Sequence, residues 1–229
     1  LAEFIFMLTK NDATVQDALD VYEQIRRTDL RWIGFKDIGV SVETQKELSR
    51  RLHADGRTVV LEIVSTVASA ELSSVRTGIE IGADVIMGGT NPDAALPLLA
   101  GRAVRYFPFP GRVVDHPSIL DGSIEEIAAI GAALTSRPGV AGLDLLAYRH
   151  RTADIPSLMR AVVSASSGPV VVAGSIDSLS QIETVANCGA WGFTIGGAVF
   201  DRSLVPGASL REQVEAALRT ASKTPNTME

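Results

Sequence analysis

The sequence predicts an α/β protein folded as a single (β/α)8 barrel, the TIM-barrel architecture, and three observations predict it. Strand-like and helix-like segments alternate eight times within 229 residues. No proline-rich or serine-rich linker interrupts the series, and the two halves of the chain resemble one another. Alternating strands and helices build a parallel sheet, because each helix supplies the right-handed crossover between neighbouring strands, and eight such units in a chain of this length make a compact barrel. The rival arrangement, an open doubly wound sheet, uses fewer strands and a glycine fingerprint after the first. Here the first strand runs into Thr9-Lys10-Asn11-Asp12, with no glycine.

The strands are apolar, β-branched runs, expected over 3–8, 32–37, 58–64, 85–87, 104–107, 140–145, 170–173 and 191–195. The helices, expected over 14–27, 42–54, 68–81, 92–99, 124–134, 155–165, 179–187 and 210–221, carry the 3.6-residue apolar period. Ser41, Ser123 and Ser178 stand where an N-cap belongs, and Gly56, Gly82 and Gly189 where a helix should stop. The barrel is expected to occupy residues 1–221, with 222–229 a polar tail.

Composition narrows the function classes. A single cysteine, Cys188, leaves no pair for an intrachain disulfide and reads as packing, which fits a reducing, cytoplasmic setting. The 46% hydrophobic and 21% charged residues are those of a globular chain and exclude disorder. With 21 basic against 27 acidic residues, a formal charge of −6, nothing draws the chain to nucleic acid or to an anionic membrane. No apolar run is long enough for a membrane span, and the stretch 4–8 is too short for a signal-peptide core. A homo-oligomer is compatible with the sequence.

In such barrels the chemistry sits at the C-terminal ends of the strands, and alternation decides which charges point inward. In the second strand Ile33 and Phe35 suit the helix-facing side, which turns Lys36 inward. In the third, Leu61 and Ile63 face helices and Glu62 faces the axis. The repeat aligns Ile33-Gly34-Phe35-Lys36-Asp37 with Ala141-Gly142-Leu143-Asp144-Leu145, so Asp144 points inward across the barrel. A second repeat sets Ala83 to Gly89 against Ala190 to Gly197. Lys36, Glu62 and Asp144, joined by Asp12 after the first strand, are the expected catalytic groups. A desolvated lysine has a lowered pKa and becomes a Schiff-base nucleophile, while a buried ion network that only fills the barrel is the plainer reading.

The strongest local signal lies after strands seven and eight. Val172-Ala173-Gly174-Ser175-Ile176-Asp177 and Ile195-Gly196-Gly197-Ala198 place glycines where backbone N–H groups can approach an anion, although the same glycines also suit tight turns. At residues 172–182 and 193–200 the sequence resembles the phosphate-binding barrels of the histidine-biosynthesis isomerase and cyclase superfamily. The resemblance implies a phosphorylated substrate held by Gly174, Ser175, Gly196 and Gly197. The chain departs from those isomerases at strand five, which ends Phe107-Pro108-Phe109 without their second carboxylate, and at strand three, which lacks a glycine-rich loop.

Asp37, Arg149 and His116 are weaker substrate-binding candidates, His116 lying in a long loop, 108–123, read as a lid. His150 beside Arg149 is a candidate anion clamp or acid, and His53 is read as exposed. No His-x-His, His-Glu-x-x-His or paired-cysteine motif is present and nucleotide fingerprints are missing, so no cofactor is expected, with a loosely bound magnesium left open. The expected protein is thus an enzyme on a small phosphorylated sugar-like or keto-acid metabolite. Aldolase-type carbon–carbon lyase chemistry through Lys36 leads. The alternatives are a phosphosugar isomerase or epimerase with carboxylate proton shuttling and a non-catalytic phosphometabolite-binding barrel.

Overall fold

The computed structural model describes residues 1–65, 67–115 and 117–223. Eight parallel strands form the sheet: β1 (Glu3–Met7), β2 (Trp32–Lys36), β3 (Thr58–Ile63), β4 (Val85–Gly88), β5 (Arg105–Phe107), β6 (Leu143–Leu145), β7 (Val170–Val172) and β8 (Gly192–Ile195). They pair in the order β6-β7-β8-β1-β2-β3-β4-β5. The remaining seam, between β5 and β6, is closed by a parallel bridge of Tyr106 with Val140. There the Ala141 N–H donates to the Tyr106 carbonyl at 2.8 Å and the Asp144 N–H to that of Pro108 at 3.1 Å. A fuller ladder cannot form here, because Pro108 and Pro110 have no N–H to give. The expected barrel is the observed one.

The crossovers are α1 (Ala18–Ile25), α2 (Val42–Ala54), α3 (Ala68–Glu80), α4 (Pro92–Leu99), α5 (Ile124–Thr135), α6 (Ile155–Ala165) and α7 (Leu179–Asn187), followed by the short α8 (Gly197–Phe200) and the closing α9 (Leu210–Ala221). Ser41, Ser123 and Ser178 cap their helices as expected, and Ser123 and Ser209 form capping boxes with Glu126 and Glu212. Helix α1 starts four residues later than its periodicity implies, since residues 9–14 fold as an antiparallel hairpin, Thr9–Lys10 against Ala13–Thr14. Its two-residue turn is left-handed at both Asn11 (φ 51°) and Asp12 (φ 62°), the signature of a type I′ turn, which Asn and Asp tolerate. The long loop after β5 likewise holds a hairpin, Arg112–Val114 with Ile119–Asp121; His116 lies outside the described residues.

Alternation sorts the strand residues as expected. Phe4, Phe6, Ile33, Phe35, Leu61, Ile63, Leu143 and Leu145 join the layer between sheet and helices. Ile5, Met7, Trp32, Val60, Val85, Met87, Phe107 and Val171 fill the barrel axis. The N-terminal end is plugged by Trp32 and Trp191, edge to face at 5.1 Å, with the Trp32 indole N–H donating to Glu3 at 2.8 Å. Apolar layers occupy the lower barrel, so the inward charges of β2 and β3 collect at the opposite, C-terminal mouth.

Candidate active site

That mouth opens into a cavity of about 800 Å³ lined by the hairpin after β1, the ends of β2 and β3, the hairpin after β5, Arg149 and the loops after β7 and β8. Lys36 and Glu62 are register partners on adjacent strands and both reach its floor. The Lys36 ammonium lies 2.5 Å from Asp12 Oδ1 and 3.4 Å from Glu62 Oε1, with all three side chains almost wholly buried. Arg149, on the single 3-10 turn Ala147–Arg149 after β6, grips Asp12 with two parallel bonds, Nη2 to Oδ1 at 2.8 Å and Nη1 to Oδ2 at 2.9 Å. Two anions and two cations thus form one chain, Glu62–Lys36–Asp12–Arg149.

The backbone that carries Lys36 is fixed from the neighbouring strand. Thr14, at the end of the hairpin after β1, accepts from the Lys36 N–H at 2.8 Å and donates to the Lys36 carbonyl at 2.9 Å. The same hairpin therefore presents Asp12 to the ammonium and ties down its strand. The sequence reading missed this element, because Asn-Asp is a weaker hairpin signal than Asn-Gly. It also left unassigned Thr9 and Thr194 on the cavity wall; Phe193 packs in the layer between sheet and helices, so alternation along β8 turns Thr194 inward.

Burial and charge act against each other on these groups. Burial alone pushes the Lys36 ammonium toward losing its proton, but Glu62 and Asp12 outweigh it and raise its pKa above the ordinary lysine value. The expected lowering of the lysine pKa is therefore corrected: the amine is paired, not stranded. Burial raises the Asp12 carboxyl, yet the bonds from Arg149 and the charge of Lys36 bring it well below the usual carboxylate range. Arg149 loses by burial and gains more from Asp12.

Asp144 faces the axis as the repeat implies but does not line the cavity. It is completely buried, and neither carboxylate oxygen has a hydrogen-bond partner among the described residues. Burial, reinforced by the Glu62 charge, pushes its pKa well above the carboxylate range, and Lys36 and Arg149 offset only part of this. The protonated form of Asp144 is thus favoured beneath the linked charges.

Other candidates are placed elsewhere. Asp37 is outside the cavity lining and braces loops instead, accepting from Ser74 Oγ at 2.6 Å and the Val64 N–H at 3.2 Å. His150 docks the hairpin after β5, its Nε2 on the Gly122 carbonyl at 2.8 Å and its Nδ1 accepting from Ala153 N–H at 3.0 Å. His53 is exposed in part and pairs with Asp84 at 3.0 Å. Cys188 is buried. Among the described residues no three His, Cys, Asp or Glu side chains converge to hold a metal ion, and none of the helices is long and apolar enough to cross a membrane.

Gly174, Ser175, Gly196 and Gly197 all line the cavity on one side. Gly174 and Ser175 are both left-handed (φ 77° and 58°), which turns the chain sharply after β7. A Cβ on Gly174 would lie 2.5 Å from Arg149 Nε, and one on Gly196 would lie 2.5 Å from the Thr9 carbonyl. Those two glycines therefore serve close packing of the site's own parts. Gly197 is different, since a Cβ there meets nothing nearer than Asp201 Oδ2 at 4.0 Å. It begins α8, whose first turn, like that of any helix, leaves N–H groups without partners inside the helix.

No protein-family model matches the chain. No curated protein sequence matches it either. Solved structures do. Orotidine 5'-phosphate decarboxylase from Pyrococcus horikoshii OT3 superposes with a TM-score of 0.68 at 12% identity, covering 96% of this chain and 100% of that one. The tryptophan synthase alpha chain from Legionella pneumophila subsp. pneumophila gives 0.65 at 12% identity over 99% and 94% of the two chains. N-(5'-phosphoribosyl)anthranilate isomerase from Pyrococcus furiosus gives 0.59 at 16% identity over 96% and 98%. At these identities the likeness establishes the (β/α)8 fold.

Proposed function

We propose that the chain is an enzyme acting on a small phosphorylated sugar-like or keto-acid metabolite, by proton transfer next to a carbonyl. The observation that carries the reading is the Lys36 ammonium held on the cavity floor between Asp12 and Glu62. A lysine so paired stays protonated, which suits it to donate to a carbonyl oxygen rather than to attack the carbon. In the step envisaged, Glu62 takes the proton from the carbon beside the carbonyl, the C–H electrons form the enolate, and Lys36 neutralises the oxygen. Returning the proton to the opposite face gives an epimer, and returning it to the former carbonyl carbon, as the neighbouring hydroxyl gives up its proton and becomes the carbonyl, gives an isomer. In a lyase Glu62 would instead take the proton of a hydroxyl on the second carbon from the carbonyl, so that the carbon–carbon bond breaks, a new carbonyl forms there, and the electrons of the broken bond make the enolate that Lys36 neutralises. Asp12 and Arg149 hold the lysine in place.

The phosphate would rest on the backbone of Ser175–Ile176 and Gly197–Ala198, at one side of the same cavity. The loop resemblance to the histidine-biosynthesis barrels supports this reading. Two of the structural neighbours support it too, being an orotidine 5'-phosphate decarboxylase and a phosphoribosylanthranilate isomerase by name. The test is exchange of carbon-bound hydrogen into deuterated water for a panel of phosphorylated ketoses and keto acids, followed by NMR. Wild type should exchange, and Lys36→Met and Glu62→Gln should each lose roughly 100-fold or more. Borohydride should trap no adduct. A trapped adduct on Lys36 would restore the Schiff-base aldolase chemistry, and phosphometabolite binding without exchange would make the chain a binding protein.

A further inference from the structure

The repeat that aligns residues 83–89 with 190–197 sets two glycine turns at matching places in the barrel, and they differ in backbone and in contents: Gly196 has φ −122° and Gly197 is not left-handed. The turn after β8 opens on the cavity. The turn after β4 begins with Gly88 and Gly89, both left-handed (φ 81° and 84°), and leads through Thr90 and Asn91 into α4. It is filled by a carboxylate from α3. Glu71 is fully buried, with Oε1 accepting from the Asn91 N–H at 2.9 Å and Oε2 accepting from the Thr90 N–H at 3.0 Å and from Asn91 Nδ2 at 2.7 Å. It makes no ion pair among the described residues, and its oxygens are held by these donors. Successive N–H groups at a helix start are what an oxyanion takes.

A second observation marks the same pocket. The hydroxyl of Tyr106 is buried and has no hydrogen-bond partner among the described residues. It lies 3.2 Å from the position a Cβ on Gly89 would take, and Glu71 Oε1 lies 2.6 Å from that position. The pocket therefore contains a donor beyond those the carboxylate uses.

We propose that the turn after β4 is a second oxyanion cradle occupied by the chain's own Glu71, so that only one phosphate of a ligand finds a site at the mouth. The cradle stands on its own geometry, and the statement about the ligand rests on the function proposed above. Glu71→Ala deletes a CH2–COO⁻ unit, the size of acetate, so acetate is the probe. In chloride buffer the variant should melt below wild type, and acetate should raise its Tm, by roughly 3–6 °C at ten times the dissociation constant and logarithmically beyond it. Wild type should not respond beyond an equal concentration of chloride. If Glu71→Ala does not fold in chloride, recovery of its native circular dichroism in acetate but not in chloride supports the cradle equally. Absence of any acetate-specific effect on the variant would overturn it. Calorimetry of inorganic phosphate on wild type should give one site per chain. Two sites would overturn the single-phosphate statement, while no site together with acetate rescue would leave the cradle standing and remove the phosphate reading.

Discussion

Asp144 and Asp12 are both pushed up by burial yet respond to pH in opposite ways, because Arg149 and Lys36 reverse the effect at Asp12 and only part of it at Asp144. The Asp12 carboxyl is held below its unfolded value of about 3.9, so its contribution to stability is present above that pH and is lost as pH falls. Asp144 is raised, so the folded state binds its proton more tightly, and wild type loses stability relative to a neutral variant as pH rises past about 4. Urea unfolding of Asp144→Asn against wild type should show nearly equal stabilities near pH 3.5. The gap should widen in the variant's favour, by at most about 1.4 kcal/mol per pH unit, until Asp144 ionises. A gap that does not change between pH 4 and 8 would mean that Asp144 titrates normally. Thr14 offers a test of a different kind. Thr14→Val leaves the Lys36 N–H and carbonyl without their shared partner, and should cost about 1–3 kcal/mol of stability.

At the scale of elements, the glycines separate packing from ligand approach. Gly78 in α3 faces the sheet, and a Cβ there would lie 2.7 Å from Ile86 Cδ1. Gly78→Ala should therefore destabilise by about 1–3 kcal/mol in thermal or denaturant melts, despite alanine's better helix propensity. Gly196→Ala should destabilise too, by pressing on the Thr9 carbonyl, whereas Gly197→Ala should keep its melting temperature and lose affinity for phosphate. Every barrel strand and the inward set of Lys36, Glu62 and Asp144 were legible, since alternation survives wherever one face of a strand packs on helices. Hairpin 9–14 was not, because helical periodicity from Thr14 onward gives no sign that a left-handed turn precedes it. The partners of a charge were illegible for a similar reason. Asp12 and Arg149 are 137 positions apart and meet only once the barrel closes, and the lysine's pKa depends on that meeting.

Over the whole molecule, the barrel divides its labour along its axis: an aromatic plug and apolar layers at the N-terminal end, and a chain of paired charges under an open cavity at the other. Closing the β5–β6 seam brings the loops after β7 and β8, the hairpin after β5 and Lys36 around one space, and the proposed chemistry requires the phosphate to be held there. The most direct test is a titration of inorganic phosphate into the isotope-labelled protein, followed by backbone amide NMR. Saturable shifts concentrated at Ser175, Ile176, Gly197 and Ala198, reduced in Gly197→Ala, are the expected result. Saturable shifts confined to another face, or none at millimolar phosphate, would contradict a phosphate site at the barrel mouth.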